Sequence, residues 1–211
     1  MTEERTAGKF YFIGNDLWLD FINTQVVAEG RPVDRLTSFA DLIAWLEEAK
    51  VLDGRQAQDL VAAWGDRPRA GQALGRALEF RGILRQMAER LAKGKPVPPA
   101  TLASINDLLN NQVSYAEVRR TRGGFEKRLH ANFSEPAHLL LPIAESAGNL
   151  LCYGDLSRIK KCENAACVLF FYDTTKNHSR RWCSMSACGN RMKVAAHYRR
   201  LRGTSSRNDR G

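Results

Sequence analysis

The strongest periodicity along the chain follows Ser38, where Phe39, Leu42, Ile43 and Leu46 recur at i, i+3, i+4 and i+7, the stripe of an amphipathic helix. Ser38 and Asp41 stand at capping-box spacing at its start. A longer stripe of Phe80, Ile83, Leu84, Met87 and Leu91 predicts a helix near residues 69–93, stopped by Gly94 and Pro96. Shorter helices are expected at GRQAQDLVAAW and PPATLASINDLLNN. The opening KFYFIGNDLWLDFINT alternates at Phe10 and Phe12 and turns at Gly14-Asn15-Asp16. It then continues as a short helix with Leu17, Trp18, Phe21 and Ile22 toward a core. The following EGRPVD reads as a loop.

In SEPAHLLLPIAESAGNLLCYG, Ser134 is an N-cap candidate with Pro136 close behind. Leu140, Ile143, Ala144, Ala147 and Leu151 then share a face, and Pro142 bends or delays the helix. Between these helices, QVSYAEVRRTRGGFEKRLHANF has no helical stripe and carries Gly123-Gly124 at its middle, the pattern of a β-hairpin. Residues 1–157 thus read as one mostly helical domain with a short β element, expected to fold without the C-terminal quarter, and GDLSRIKK reads as the joint.

Composition is that of a globular protein, with 44% hydrophobic and 26% charged residues. No stretch approaches the ~18–20 consecutive apolar residues that span a membrane. The N-terminus has no apolar run followed by a small-residue cleavage site, so a cytoplasmic setting with reduced thiols is the expectation. Charge is distributed unevenly. Residues 158–211 carry 13 Lys and Arg against 3 Asp and Glu, a net of +10, whereas residues 1–157 hold 19 bases and 20 acids. Such asymmetry points to a polyanionic partner, usually nucleic acid, for the C-terminal quarter.

That quarter also holds four of the five cysteines, in CENAACVLFFYDTTKNHSRRWCSMSACGNRMKVAAHYRR. Cys162 and Cys167 enclose four residues, as do Cys183 and Cys188, with fifteen between the pairs. Two such pairs supply the four thiolates of one structural zinc ion and leave no open position for catalysis. VLFFYD is a strand candidate, TTKNHS a turn, RRWC a second strand, and a helix is expected from Ser184. This is a small treble-clef-like four-cysteine finger over residues 158–203, followed by a disordered basic tail at 204–211. His178 and His197 are dispensable as ligands, Cys152 reads as a core thiol, and His130 and His138 are given no role.

Arg180, Arg181, Arg191, Lys193, Arg199 and Arg200 are the candidate DNA contacts, with Arg191 equally suited to packing inside the finger, and Trp182 reads as core. Upstream, Asp20, Asn23 and Thr24 lie close enough on one turn either to line a ligand pocket or to brace the fold. There is no Gly-rich phosphate loop, nucleophile elbow or His pair at metal spacing, so no enzyme is expected.

The segment resembles the CGNR zinc finger, whose namesake tetrapeptide is Cys188-Gly189-Asn190-Arg191, and SRRWCSM and FFYDTTKN fit the same pattern. In that family the finger follows an ABATE domain, to whose opening IGNDLWLDFINT at residues 13–24 is similar. VAAHYRR is less basic than the family's usual ending. The resemblance implies a stress-linked bacterial transcription regulator with a DNA-binding finger. The expected protein is therefore mainly α (α+β), zinc-containing and DNA-binding. Its N-terminal domain would sense a small-molecule effector or form a homodimer, with no membrane attachment. The rival readings are a zinc module that docks on another protein and, further off, a small-molecule enzyme in the N-terminal domain.

Overall fold

In the computed structural model the described residues are 8–110, 114–121, 123–131 and 133–195. His197, Arg199, Arg200 and the expected tail at 204–211 lie outside them. The first element of the described residues is helix α1 (Leu17–Ile22), followed by strands β1 (Gln25–Ala28) and β2 (Arg31–Asp34), then helices α2 (Phe39–Glu48), α3 (Gly54–Trp64), α4 (Pro68–Leu91) and α5 (Pro99–Asn110). The segment expected as a loop at EGRPVD instead completes an antiparallel hairpin of β1 and β2. Its two-residue turn, Glu29-Gly30, takes positive φ at both positions, which matches the twist of the paired strands.

Capping boxes start two helices: Ser38 with Asp41 opens α2, and Asp53 with Gln56 opens α3. The hairpin expected around Gly123-Gly124 forms as β3 (Ser114–Thr121) and β4 (Gly124–Ala131). A 3₁₀ turn at Pro136–Leu140 leads into helix α6 (Leu141–Tyr153). Glu135, not Ser134, is the N-cap of that turn. Pro142 falls in the first turn of α6, where its missing N–H costs nothing, so it delays the helix without bending it.

Strands β5 (Ile159–Lys161) and β6 (Phe170–Tyr172) pair antiparallel across the first cysteine pair. The partner of FFY is thus Ile159–Lys161, inside the supposed joint, and not RRWC, which is not a strand. Only one backbone bond ties RRWC to this hairpin's loop, from Glu163 N–H to Arg181 O at 3.0 Å.

The main core lies among α1, α2, α4 and α6, around the fully buried Trp18, Phe21, Trp45, Leu84 and Ala147. A second, smaller core surrounds the cysteines. The two are not separate. Successive residues of a strand point to opposite faces, and β6 exploits this. Phe170 enters the main core and Phe171 the finger core, both completely buried. In return Ile13 and Val26 from the N-terminal segment complete the finger core. Cys152, expected in a core, is exposed on α6, one residue before the exposed Tyr153.

Candidate metal centre and nucleic-acid interface

The thiols of Cys162, Cys167, Cys183 and Cys188 lie within 4.8 Å of one another, and the Cys167 and Cys183 sulfurs are 3.7 Å apart. Tetrahedral zinc with Zn–S bonds of about 2.3 Å requires sulfurs about 3.8 Å apart, so the donor set fits the ion. Among themselves the thiols divide the protons unevenly. Hydrogen bonds from Cys167 and Cys183 pull Cys162 down to about 2, and the bond to Cys162 pushes Cys167 up to about 12 and Cys183 up as well. Four thiolates at this range repel one another unless a cation lies between them. One structural zinc satisfies that requirement.

Local structure aims each sulfur. In the first pair, Cys167 N–H donates to Asn164 O at 2.8 Å and Ala166 N–H to Asn164 Oδ1 at 3.1 Å, which folds the loop into a knuckle. The Asn164 amide then donates to the Cys188 sulfur at 3.3 Å, tying the two pairs together around the metal. Cys183 N–H donates to the Cys162 sulfur at 3.4 Å. The second pair sits at a π-helical turn, Met185–Gly189, capped by the Ser184 side chain, which accepts from Ala187 N–H at 3.1 Å. The chain continues as α-helix through residue 195. A Cβ on Gly189 would lie 2.8 Å from the sulfur of the exposed, flexible Met185 side chain, which would have to move aside. Asn190 turns back to Ser186 O at 3.4 Å, and Arg191 is exposed.

FFYDTTKN has a structural explanation in Asp173, whose side chain is completely buried. One carboxylate oxygen accepts from Thr175 N–H and Oγ1, the other from Arg180 N–H and the Lys160 ammonium at 2.7 Å. Burial alone would push this carboxyl up, but these donors hold it at about 2.

The proposed cations separate into groups. Arg180 is committed internally: it donates to Ile13 O, Trp182 O and Cys183 O, and its guanidinium lies 4.2 Å from the Phe171 ring centroid. It clamps the finger to the N-terminal segment. Arg181 is exposed, pairs with Glu163 at 2.6 Å and covers the half-buried Trp182. Arg191 and Lys193 are exposed on the helix after the last cysteine. Lys161 and Lys176, not among the expected contacts, are exposed as well. Their position in a short basic segment was the one available signal.

Of the three residues suggested as a pocket, two are internal braces. The Asn23 side chain donates to Phe170 O at 2.8 Å and accepts from Phe170 N–H at 2.9 Å, acting as a one-residue strand partner for β6. Thr24 donates to Phe21 O at 2.7 Å and accepts from Arg81, itself paired with Asp34. Neither side chain is open to a ligand. Asp20 does face a cleft, of about 770 Å³, at the meeting of the two parts, lined also by Phe12, Asp16, Leu17, Arg180 and Trp182. Burial pushes its carboxyl up to about 7, against the pull of hydrogen bonds from Gly14 and Ile13 N–H. Arg85, which no sequence pattern singled out, joins the two parts through Ile22 O at 3.1 Å and Val168 O at 2.8 Å.

A mostly helical domain bound through a shared strand to a four-cysteine zinc finger is the class of protein that this fold and site define. The chain belongs to the ABATE family, whose model, described as "Putative stress-induced transcription regulator", matches residues 15–154, and the CGNR zinc finger matches residues 158–201. By these descriptions one match is of regulator type and the other a zinc finger. No curated protein matches the chain. Among the described residues, no helix is long and apolar enough to cross a membrane.

Proposed function

We propose that the protein is a DNA-binding transcription regulator in which zinc holds a basic surface rigid against the duplex. The observation that carries this reading is the division of labour inside the finger. Arg180 and Lys160 are used internally, while Lys161, Lys176, Arg181, Arg191 and Lys193 remain exposed on a metal-closed scaffold. Over residues 158–195 there are eight Lys and Arg against two acids, and both acids are paired with cations. Phosphate contacts need cations held in place and tolerate their spread over adjoining faces. In this reading Arg199 and Arg200 extend the basic surface, and the N-terminal domain conveys an effector signal or dimerises. The cleft at Asp20 is the candidate effector site.

Binding of zinc-loaded protein to a pool of random duplexes, measured at several salt concentrations, tests this. Three phosphate contacts give a slope of log affinity against log salt near −3, at about −0.9 per contact. Arg191→Gln with Lys193→Gln should flatten that slope, and metal removal should abolish binding. A protein-docking finger is the second reading, favoured by the exposed Met185 and Val194 beside the helix. It predicts a charge-independent, weak interaction with every duplex, and that result would overturn the DNA reading.

A further inference from the structure

The β3–β4 hairpin has no evident structural purpose. Among the described residues its strands pair only with each other, and none of its described side chains belongs to either core. All of those side chains, at 118–121 and 123–126, are exposed. They include two large apolar groups, Val118 at 67% and Phe125 at 74% exposure. A two-stranded ribbon is marginal in water by itself, so an eight-residue-stranded arm whose described side chains are all exposed gains by having a partner.

Charge identifies the chemistry of that partner. Residues 114–131 carry five Lys and Arg against two Glu, a net of +3, while the rest of residues 1–157 is net −4. The register makes the two faces unlike. Arg119 lies opposite Glu126, so the pair is electrically balanced on one face. Val118 and Arg120 alternate onto the other, and Phe125 is directly opposite Arg120. The Arg120 guanidinium lies over the Phe125 ring, 5.8 Å from its centroid, and Lys127 is the residue paired with Val118. One face therefore combines a cation with exposed apolar surface and no facing acid among the described side chains. An eight-residue strand spans about 26 Å, and a two-stranded ribbon fits the major groove, which is about 12 Å wide.

We infer that the β3–β4 hairpin is a second nucleic-acid contact, a ribbon arm that lays its Val118–Arg120–Phe125 face into a groove of the duplex. This rests on the DNA-binding reading of the finger and extends it to the ABATE domain. Arg120 supplies a phosphate or base-edge contact, and Phe125 and Val118 supply apolar contact with the groove wall.

The test uses the full, zinc-loaded chain and the same random duplex pool. Arg120→Gln should flatten the salt slope by about 0.9, one phosphate contact. Phe125→Ala should weaken binding several-fold with the slope unchanged, and Arg119→Gln, on the balanced face, should leave the slope within error. Zinc content and melting midpoint must match the parent chain, which is expected because these side chains pack in neither core. If the parent chain binds no duplex, the finger reading fails and takes the arm with it. If the parent chain binds and responds to Arg191→Gln but to neither Arg120→Gln nor Phe125→Ala, only the arm is overturned. Equal flattening by Arg119→Gln and Arg120→Gln would overturn the assignment of the face. Sedimentation analysis covers the remaining occupant: a parent dimer that Phe125→Ala dissociates, with DNA affinity unchanged, would make the arm a contact with a second copy and overturn the proposal.

Discussion

Asn23→Ala should destabilise the whole protein, although the substitution touches neither the metal nor a large apolar group. Asn23 is completely buried, and its amide makes two hydrogen bonds to one residue, Phe170, at 2.8 and 2.9 Å. Truncation leaves a buried N–H and a buried C=O without those partners. Each orphaned group costs about 1–3 kcal/mol, so the pair comes to about 2–6 kcal/mol. For a chain of this size that corresponds to a fall in melting midpoint of about 5–20 °C. A comparison comes from Asn15, which donates to the neighbouring carbonyl, Tyr172 O, at 2.9 Å, but from an exposed position. Asn15→Asp removes that donor and keeps a residue that tolerates the positive φ there. Water can replace the lost bond, so its cost should stay below about 1 kcal/mol. Denaturant unfolding of both variants, zinc-loaded and at equal concentration, gives the difference directly. If Asn23→Ala loses less than about 1 kcal/mol with zinc retained, the Asn23 clamp does not hold β6 at the joint.

Two further outcomes are expected. Cys162→Ser or Cys188→Ser should lose zinc, whereas Cys152→Ser, at an exposed position, should leave both zinc content and midpoint unchanged; metal analysis and thermal melts check this. Asp20 is a carboxyl whose folded value, about 7, lies above its unfolded value of 3.8, so the folded state binds its proton more tightly and stability falls as pH rises from about 4 to about 7, levelling off above. Asp20→Asn keeps an acceptor for Gly14 N–H and should flatten that part of the profile; an unchanged slope would mean that Asp20 is already ionised at pH 6.

The helical framework was legible because it rests on local chemistry. The capping box at Ser38 and Asp41, the stripe from Phe80 to Leu91 and the paired cysteine spacing are each contained within a few turns of chain. What escaped was the part that depends on distant pairing. The β5 strand, IKK, is too short and too basic to announce itself, and becomes a strand only because Phe170–Tyr172 returns alongside it. Arg180 looked like a free cation because nothing local shows that Ile13 O, 167 residues upstream, will accept from it. Asn23 and Thr24 left pocket and brace both open because polar side chains near a helix end have the same sequence signature whether they meet a ligand or a buried backbone.

The same long-range pairing changes what zinc does. Had the finger been a separate module, metal loss would unfold residues 158–195 and leave the rest intact. Instead the metal holds the loop between β5 and β6, and β6 places Phe170 in the main core while Asn23, Arg85 and Tyr172 bond across the joint. Zinc binds the folded arrangement, so its binding free energy adds to the stability of both parts. A strong chelator should therefore lower the melting midpoint of the ABATE core as well, and a chain ending at Ser157 should melt below the intact protein because it has lost Phe170 and Ile159 from that core. Burial of a phenylalanine side chain alone contributes about 1.5–3 kcal/mol. If the shortened chain melted at the same temperature as the zinc-loaded whole, the shared strand would be an alignment of two independent cores and metal occupancy could not be felt upstream.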